Sequence, residues 1–109
     1  MKSLINVTKT KDERLKLASL VELFSQKIKD SITNDRDIIV STENSCMSVL
    51  NRIAIEDYEC DMEHLYLNDG SFELHMKMDE IKDIKYDNTY DESFTFLHND
   101  STEIHCCFL

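Results

Sequence analysis

The sequence predicts an α+β domain, with an N-terminal amphipathic helix packed on a five- to six-stranded, mostly antiparallel meander sheet or partly closed barrel. Two observations carry this reading. Apolar residues recur at spacings of three and four up to about position 33, and at spacings of two beyond it. The helix stripe and the alternating strand faces each need a cover, and they can cover each other. A length of 109 residues fits one domain, 1–109, large enough to bury a core without staples.

Residues 1–9 read as a loose start or a short edge strand carrying Leu4, Ile5 and Val7. Thr10 and Glu13 have the spacing of a capping box, in which the hydroxyl and the carboxylate each accept from the other residue's amide. The helix then runs to about Thr33 on a stripe of Leu17, Val21, Phe24, Ile28 and Ile32, widened by Leu20 and Leu23. Asn34 suits a left-handed cap.

Residues 37–42 are rich in β-branched side chains and read as the first strand, followed by a turn at 43–45. Met47, Val49, Ile53 and Ile55 then share a face, with Asn51 interrupting the row. Residues 62–67 form the next strand. Asp69-Gly70 predicts a hairpin turn with positive φ at both central residues. Phe72, Leu74, Met76 and Met78 alternate with Glu73, His75 and Lys77. Residues 79–85 suit a helical turn or a short strand, and 86–92 a polar connection. Phe94, Phe96, Ile104, Cys106 and Phe108 mark a last hairpin about Asn99-Asp100. Phe24, Ile28, Phe72, Leu74, Phe94, Phe96 and Ile104 are expected to share one core.

Charge is divided unevenly. Positions 37–109 hold seventeen Asp and Glu against four Lys and Arg, whereas 1–36 hold eight basic and five acidic residues. The balances of −13 and +3 sum to the net −10. A phosphate backbone is repelled by the sheet half, which excludes direct nucleic-acid binding there and favours a protein partner with a basic surface. The expected partner-binding patch comprises Glu56, Asp57, Tyr58, Glu59, Asp61 and Glu63, joined by Tyr86, Asp87, Tyr90, Asp91 and Glu92. Tyrosine adds large contact area with few rotors. Lys2, Lys9, Lys11, Arg14 and Lys16 cluster near the helix start and offer a head-to-tail contact with a second copy, so a homo-oligomer is compatible.

No defensible catalytic motif is present. One glycine, Gly70, leaves little freedom for a phosphate or oxyanion cradle. His105-Cys106 is adjacent in sequence but faces opposite ways on a strand. Cys46, Cys60, Cys106 and Cys107 show no CxxC spacing and read as free thiols in small apolar packing. His64, His75, His98 and His105 show no local metal-ligand pair, although His75, His105 and Cys107 could meet across strands. Asp57, Glu59, Asp61 and Glu63 lack the glycine of a calcium loop. No metal and no cofactor are therefore expected.

No secretion signal or membrane-length apolar run is seen, which implies a cytoplasmic protein. Abundant Ile, Lys, Asn and Asp match an AT-rich coding sequence, as in a low-GC bacterium or its phages. The functional expectation is a small acidic regulatory protein that acts stoichiometrically, in its sharpest form an inhibitor filling a basic nucleic-acid-binding groove. The alternative is an oligomeric small-molecule-binding module with a pocket between helix and sheet.

Overall fold

The structure, a computed structural model, describes residues 9–109. The expected start around Leu4, Ile5 and Val7 lies outside the described residues. Helix α1 spans Lys11–Thr33. Eight strands follow among the described residues: β1 Ile38–Glu43, β2 Ser48–Ile53, β3 Asp57–Cys60, β4 His64–Asn68, β5 Glu73–Lys77, β6 Ile81–Asp87, β7 Glu92–His98 and β8 Glu103–Phe108. A short 3₁₀ turn, Met78–Glu80, joins β5 to β6. The strands form a five-stranded sheet of order β2-β1-β8-β7-β6 and a three-stranded sheet of order β3-β4-β5, with all pairs antiparallel. Neither closes into a barrel. The acidic segment 56–63 supplies strand β3, and the expected connection 86–92 persists at residues 88–91, between the end of β6 and the start of β7.

The capping box forms as expected: the Glu13 amide donates to Thr10 Oγ1 at 3.1 Å and the Thr10 amide donates to Glu13 Oε1 at 3.5 Å. At the other end, Asn34 keeps a right-handed backbone, and Asp35 takes the left-handed position with φ 53°. The Arg36 amide reaches Ser31 O at 2.8 Å and the Asp35 amide reaches Ile32 O at 3.2 Å, the paired bonds that close a helix at a left-handed residue. The buried stripe is Leu17, Val21, Phe24, Ile28 and Ser31. Ile32 is instead exposed, because the next step along the stripe is three residues and falls on Ser31.

Phe24 fixes the helix on the five-stranded sheet. Its ring lies 5.1 Å from Phe94, 5.1 Å from Phe96 and 5.6 Å from Phe108, edge-on to each. Such edge contacts add to the burial of the rings themselves. The register explains the cluster: Val40 pairs with Cys106 and Cys106 with Phe94, so one face of β1, β8 and β7 is continuously apolar. Leu65, Leu67, Leu74 and Met76 of the small sheet join the same core. The first and last strands pair, Ile38 with Phe108. Phe72 departs from expectation and is only half-buried at the core's edge.

The Asp69-Gly70 turn also differs from the expected geometry. Gly70 has φ +96°, but Asp69 does not have positive φ. Asp69 Oδ1 instead accepts from the Ser71 and Phe72 amides, making a side-chain-closed turn. The carboxylate of Glu56 occupies the space a Cβ at position 70 would need. The positive φ is what demands glycine here, since the exposed Glu56 carboxylate is the end of a flexible side chain that can move aside.

His98 ties the last hairpin to the 3₁₀ turn, with Nε2 at 3.0 Å from Glu80 Oε2 and Nδ1 at 2.9 Å from Asp100 Oδ1. The contact with Glu80, followed by that with Asp100, raises its pKa above the ordinary value of 6.5. A raised folded-state pKa gives stability that is full below the unfolded value and lost as pH rises through the folded one. Thermal melts across that window should therefore show a loss of stability that His98→Gln removes. The effect should stay below about 1 kcal/mol because the pair is partly solvated. Equal pH slopes in the two proteins would refute the assignment.

Candidate functional site

A large concavity lies between the start of α1 and the β6 edge. Its volume is about 720 Å³ and its walls include Lys9, Glu13, Lys16, Leu17, Asp79, Lys82, Asp83, Lys85 and Leu97. That volume is in the range of small-molecule sites. Two features create it. The capping box starts the helix at Lys11, which sets Lys16 and Leu17 on its first turns. A bulge between Ile81 and Asp83 bends β6, while Ile81 and Ile84 stay buried and Lys82 and Lys85 turn outward. Lys9 Nζ donates to Ile81 O at 2.5 Å and straps the two elements together. Burial is the main cause that lowers its pKa.

The concavity continues past the 3₁₀ turn. A second hollow of about 260 Å³ shares Lys9, Leu17 and Asp79 with the first and adds Met62 and Met78. A third, of about 520 Å³, shares Met62 and Asp79 and adds His64, His75 and Lys77. The three hollows adjoin through shared residues and form a trough of mixed charge: lysines with Glu13, Asp79 and Asp83 at one end, Leu17, Met62 and Met78 beside Arg14 in the middle, and two imidazoles with Glu63 and Lys77 at the other. It is a pocket between helix and sheet, but Phe and Cys do not line it.

The acidic residues occupy two separate places. Asp57, Glu59, Asp61 and Glu63 are exposed on β3 and its following turn, and Glu56 sits beside Gly70. Tyr58 alternates to the opposite face of β3 and packs half-buried against the core. Asp61 Oδ1 accepts from the amides of Glu63 and His64 at 2.8 and 2.9 Å, and these bonds hold its carboxyl below the usual range. The second group lies at the β6–β7 turn of the other sheet. There Asp87 accepts from Thr89, Tyr90 and Asp91 are exposed, and Tyr86 stacks on Phe94 with centroids 4.8 Å apart. Glu92 is paired with Lys27 at 2.6 Å and accepts from the Tyr86 hydroxyl at 2.9 Å. The hydrogen bond from Lys27 is the main cause that lowers the Glu92 pKa. Glu92 therefore tethers the sheet to the helix and presents no free charge.

His75, His105 and Cys107 do not meet. His75 is on β5 of the small sheet, while His105 and Cys107 are on β8 of the large one. The structure instead brings together His64, Glu59 and Asp61. The four cysteines are free. Burial pushes Cys60 up to about 12 and Cys106 higher still, so neither is a ready nucleophile. The sequence marks Lys9 and Lys16 as a basic cluster and Lys82 and Lys85 only as bases among acids, without bringing the two pairs together. Their convergence needs the return of β6 to the helix, which local spacing does not reveal. Among the described residues, no helix is long and apolar enough to cross a membrane.

No family model and no curated protein sequence matches this chain. Among solved structures, it is similar to the heme-degrading enzyme ChuS of Escherichia coli O157:H7, with a TM-score of 0.58 and 16% identity. The match covers 82% of this chain and 28% of that one, so the chain spans little more than a quarter of the enzyme's length. At this identity the likeness concerns the fold: one helix on an antiparallel α+β scaffold.

Proposed function

We propose that this protein is a non-catalytic binding module that takes a small, anionic, partly apolar ligand in the trough beside α1. The observation that carries the reading is one concavity walled by Lys9, Lys16, Lys82 and Lys85 against Glu13, Asp79 and Asp83, a locally positive lining in a chain of net charge −10. Lysine ammonium groups suit carboxylates as point charges. Leu17, Met62, Met78 and Leu97 supply apolar contact beyond them. Heme is the natural first probe. It joins two carboxylates to a flat apolar ring, and a structurally similar protein is named for degrading it.

The test is a hemin titration followed by absorbance, repeated with Lys16→Gln/Lys82→Gln/Lys85→Gln. Saturable one-to-one binding is expected, weakened at least about tenfold in the triple variant, a change of about 1.4 kcal/mol. Binding unaffected by the triple change would place the ligand elsewhere. No saturable binding of hemin, or of a long-chain carboxylate lacking iron, would overturn the reading.

A second reading rests on a different observation. Asp57 and Glu59 project side by side from β3, an edge strand, with no basic side chain in 56–63. This supports stoichiometric recognition of a protein with a basic surface, inhibition of a nucleic-acid-binding groove included.

A further inference from the structure

We propose that the outer face of the three-stranded sheet binds a divalent transition ion of the zinc type, held by His64, Glu59 and Asp61 and completed by His75. The pairing of three strands assembles this set. Glu59 lies opposite Tyr66, Tyr66 lies opposite His75, and His64 stands two residues before Tyr66 on the same face. Asp61 comes from the β3–β4 turn, where its Oδ1 is fixed by two backbone amides.

The distances fit an ion. His64 Nε2 is 3.0 Å from Glu59 Oε1, and His64 Nδ1 is 3.8 Å from Asp61 Oδ1. One donor atom from each of the three residues lies within 4.8 Å of the other two. Metal–ligand bonds of about 2.0–2.1 Å in a tetrahedron place donors roughly 3.3 Å apart, so the three donors, now within 4.8 Å of one another, have only a small distance to close. Because Nε2 now faces Glu59 and Nδ1 faces Asp61, ion binding requires the half-exposed imidazole to turn so that one nitrogen serves the ion. The His75 ring is 5.4 Å from the His64 ring, and a rotamer change is needed for its nitrogen to serve as the fourth donor. Two carboxylates and two neutral imidazoles balance a divalent ion.

The donor set selects the ion. Two nitrogens among four donors suit zinc, nickel or copper, and calcium needs six to eight oxygens. The inference does not depend on the ligand of the trough, because the ion itself is the readout.

The experiment is a titration of chelator-stripped, reduced full-length protein with zinc chloride, by calorimetry against a competing chelator. One equivalent should bind and should raise the melting temperature. His64→Gln and Glu59→Gln should each weaken binding at least about tenfold, and His75→Gln should weaken it measurably. Cys46→Ser, His98→Gln and His105→Gln should leave it unchanged. If one variant fails to fold by circular dichroism, the other two ligand variants decide. The proposal fails if no saturable zinc binding occurs below about 100 μM, a limit of roughly −5.5 kcal/mol. It also fails if binding survives His64→Gln, or if calcium stabilises the protein as much as zinc does.

Discussion

Replacing Phe24 with Ala is expected to destabilise the protein by about 3–5 kcal/mol, the usual cost of emptying a buried aromatic site. Phe24 is fully buried and meets three other rings within 5.6 Å, from two different strands. Those rings sit on a hydrogen-bonded sheet and cannot collapse into the void, which places the loss towards the upper end. A domain of this size has about 5–15 kcal/mol in all. Urea unfolding should therefore show a much lower midpoint with a similar slope, and the melting temperature should drop by at least about 10 °C. Phe24→Leu should recover most of the loss. Tyr90→Ala is the matched control: the side chain is 96% exposed and should cost no more than about 0.5 kcal/mol. A loss below about 1 kcal/mol for Phe24→Ala would mean that the helix does not rest on β7 and β8 as described.

Neutralising the β3 row should have its largest effect on a rate. Asp57→Asn/Glu59→Gln/Asp61→Asn/Glu63→Gln keeps shape, and Asn at 61 can still accept the two turn amides. The net charge changes from −10 to −6. Association with a basic protein partner, or with a lysine-rich peptide as probe, should slow by about 10–10³-fold at low ionic strength. Most of the salt dependence should vanish with it. Bulk charge is separated from local charge by a control that removes Glu22, Asp30, Asp35 and Glu43, all exposed and elsewhere on the molecule. Chelator in every measurement keeps metal binding at Glu59 and Asp61 out of the comparison. If the β3 variant associates as fast as the control, the row serves only to keep the chain in solution, and recognition through it is wrong.

Much of the fold was legible because it is written in short-range periodicity. Thr10 and Glu13 announce the helix start, Leu17 to Ile28 give its buried face, and Leu74 and Met76 alternate as a half-buried strand must. The α+β class follows from the switch of period alone. What was misread depends on partners distant in sequence. The acidic segment 56–63 does not read as a strand of its own, because in β3 only Tyr58 and Cys60 turn inward and four residues give alternation too little length to stand out. The 79–85 ambiguity ends only when Ile81 and Ile84 find the core and a bulge allows both.

The candidate sites were less legible than the core. Charge density identified the acidic row, yet it could not show that Tyr58 turns away from it or that Glu92 is held by Lys27, 65 positions earlier. Likewise, Lys16 and Lys82 face one hollow, and His64 and His75 one surface, because strands fold back on one another. The sequence by itself determined the helix, the strand-forming character of the rest and the sign of its surface. Only the tertiary structure decided that there are two sheets, that β1 pairs with β8, and which charged groups meet. The reason is physical. Local periodicity fixes which face of an element is apolar, whereas the meeting of remote polar side chains depends on strand register and topology, which the packing of the whole core selects.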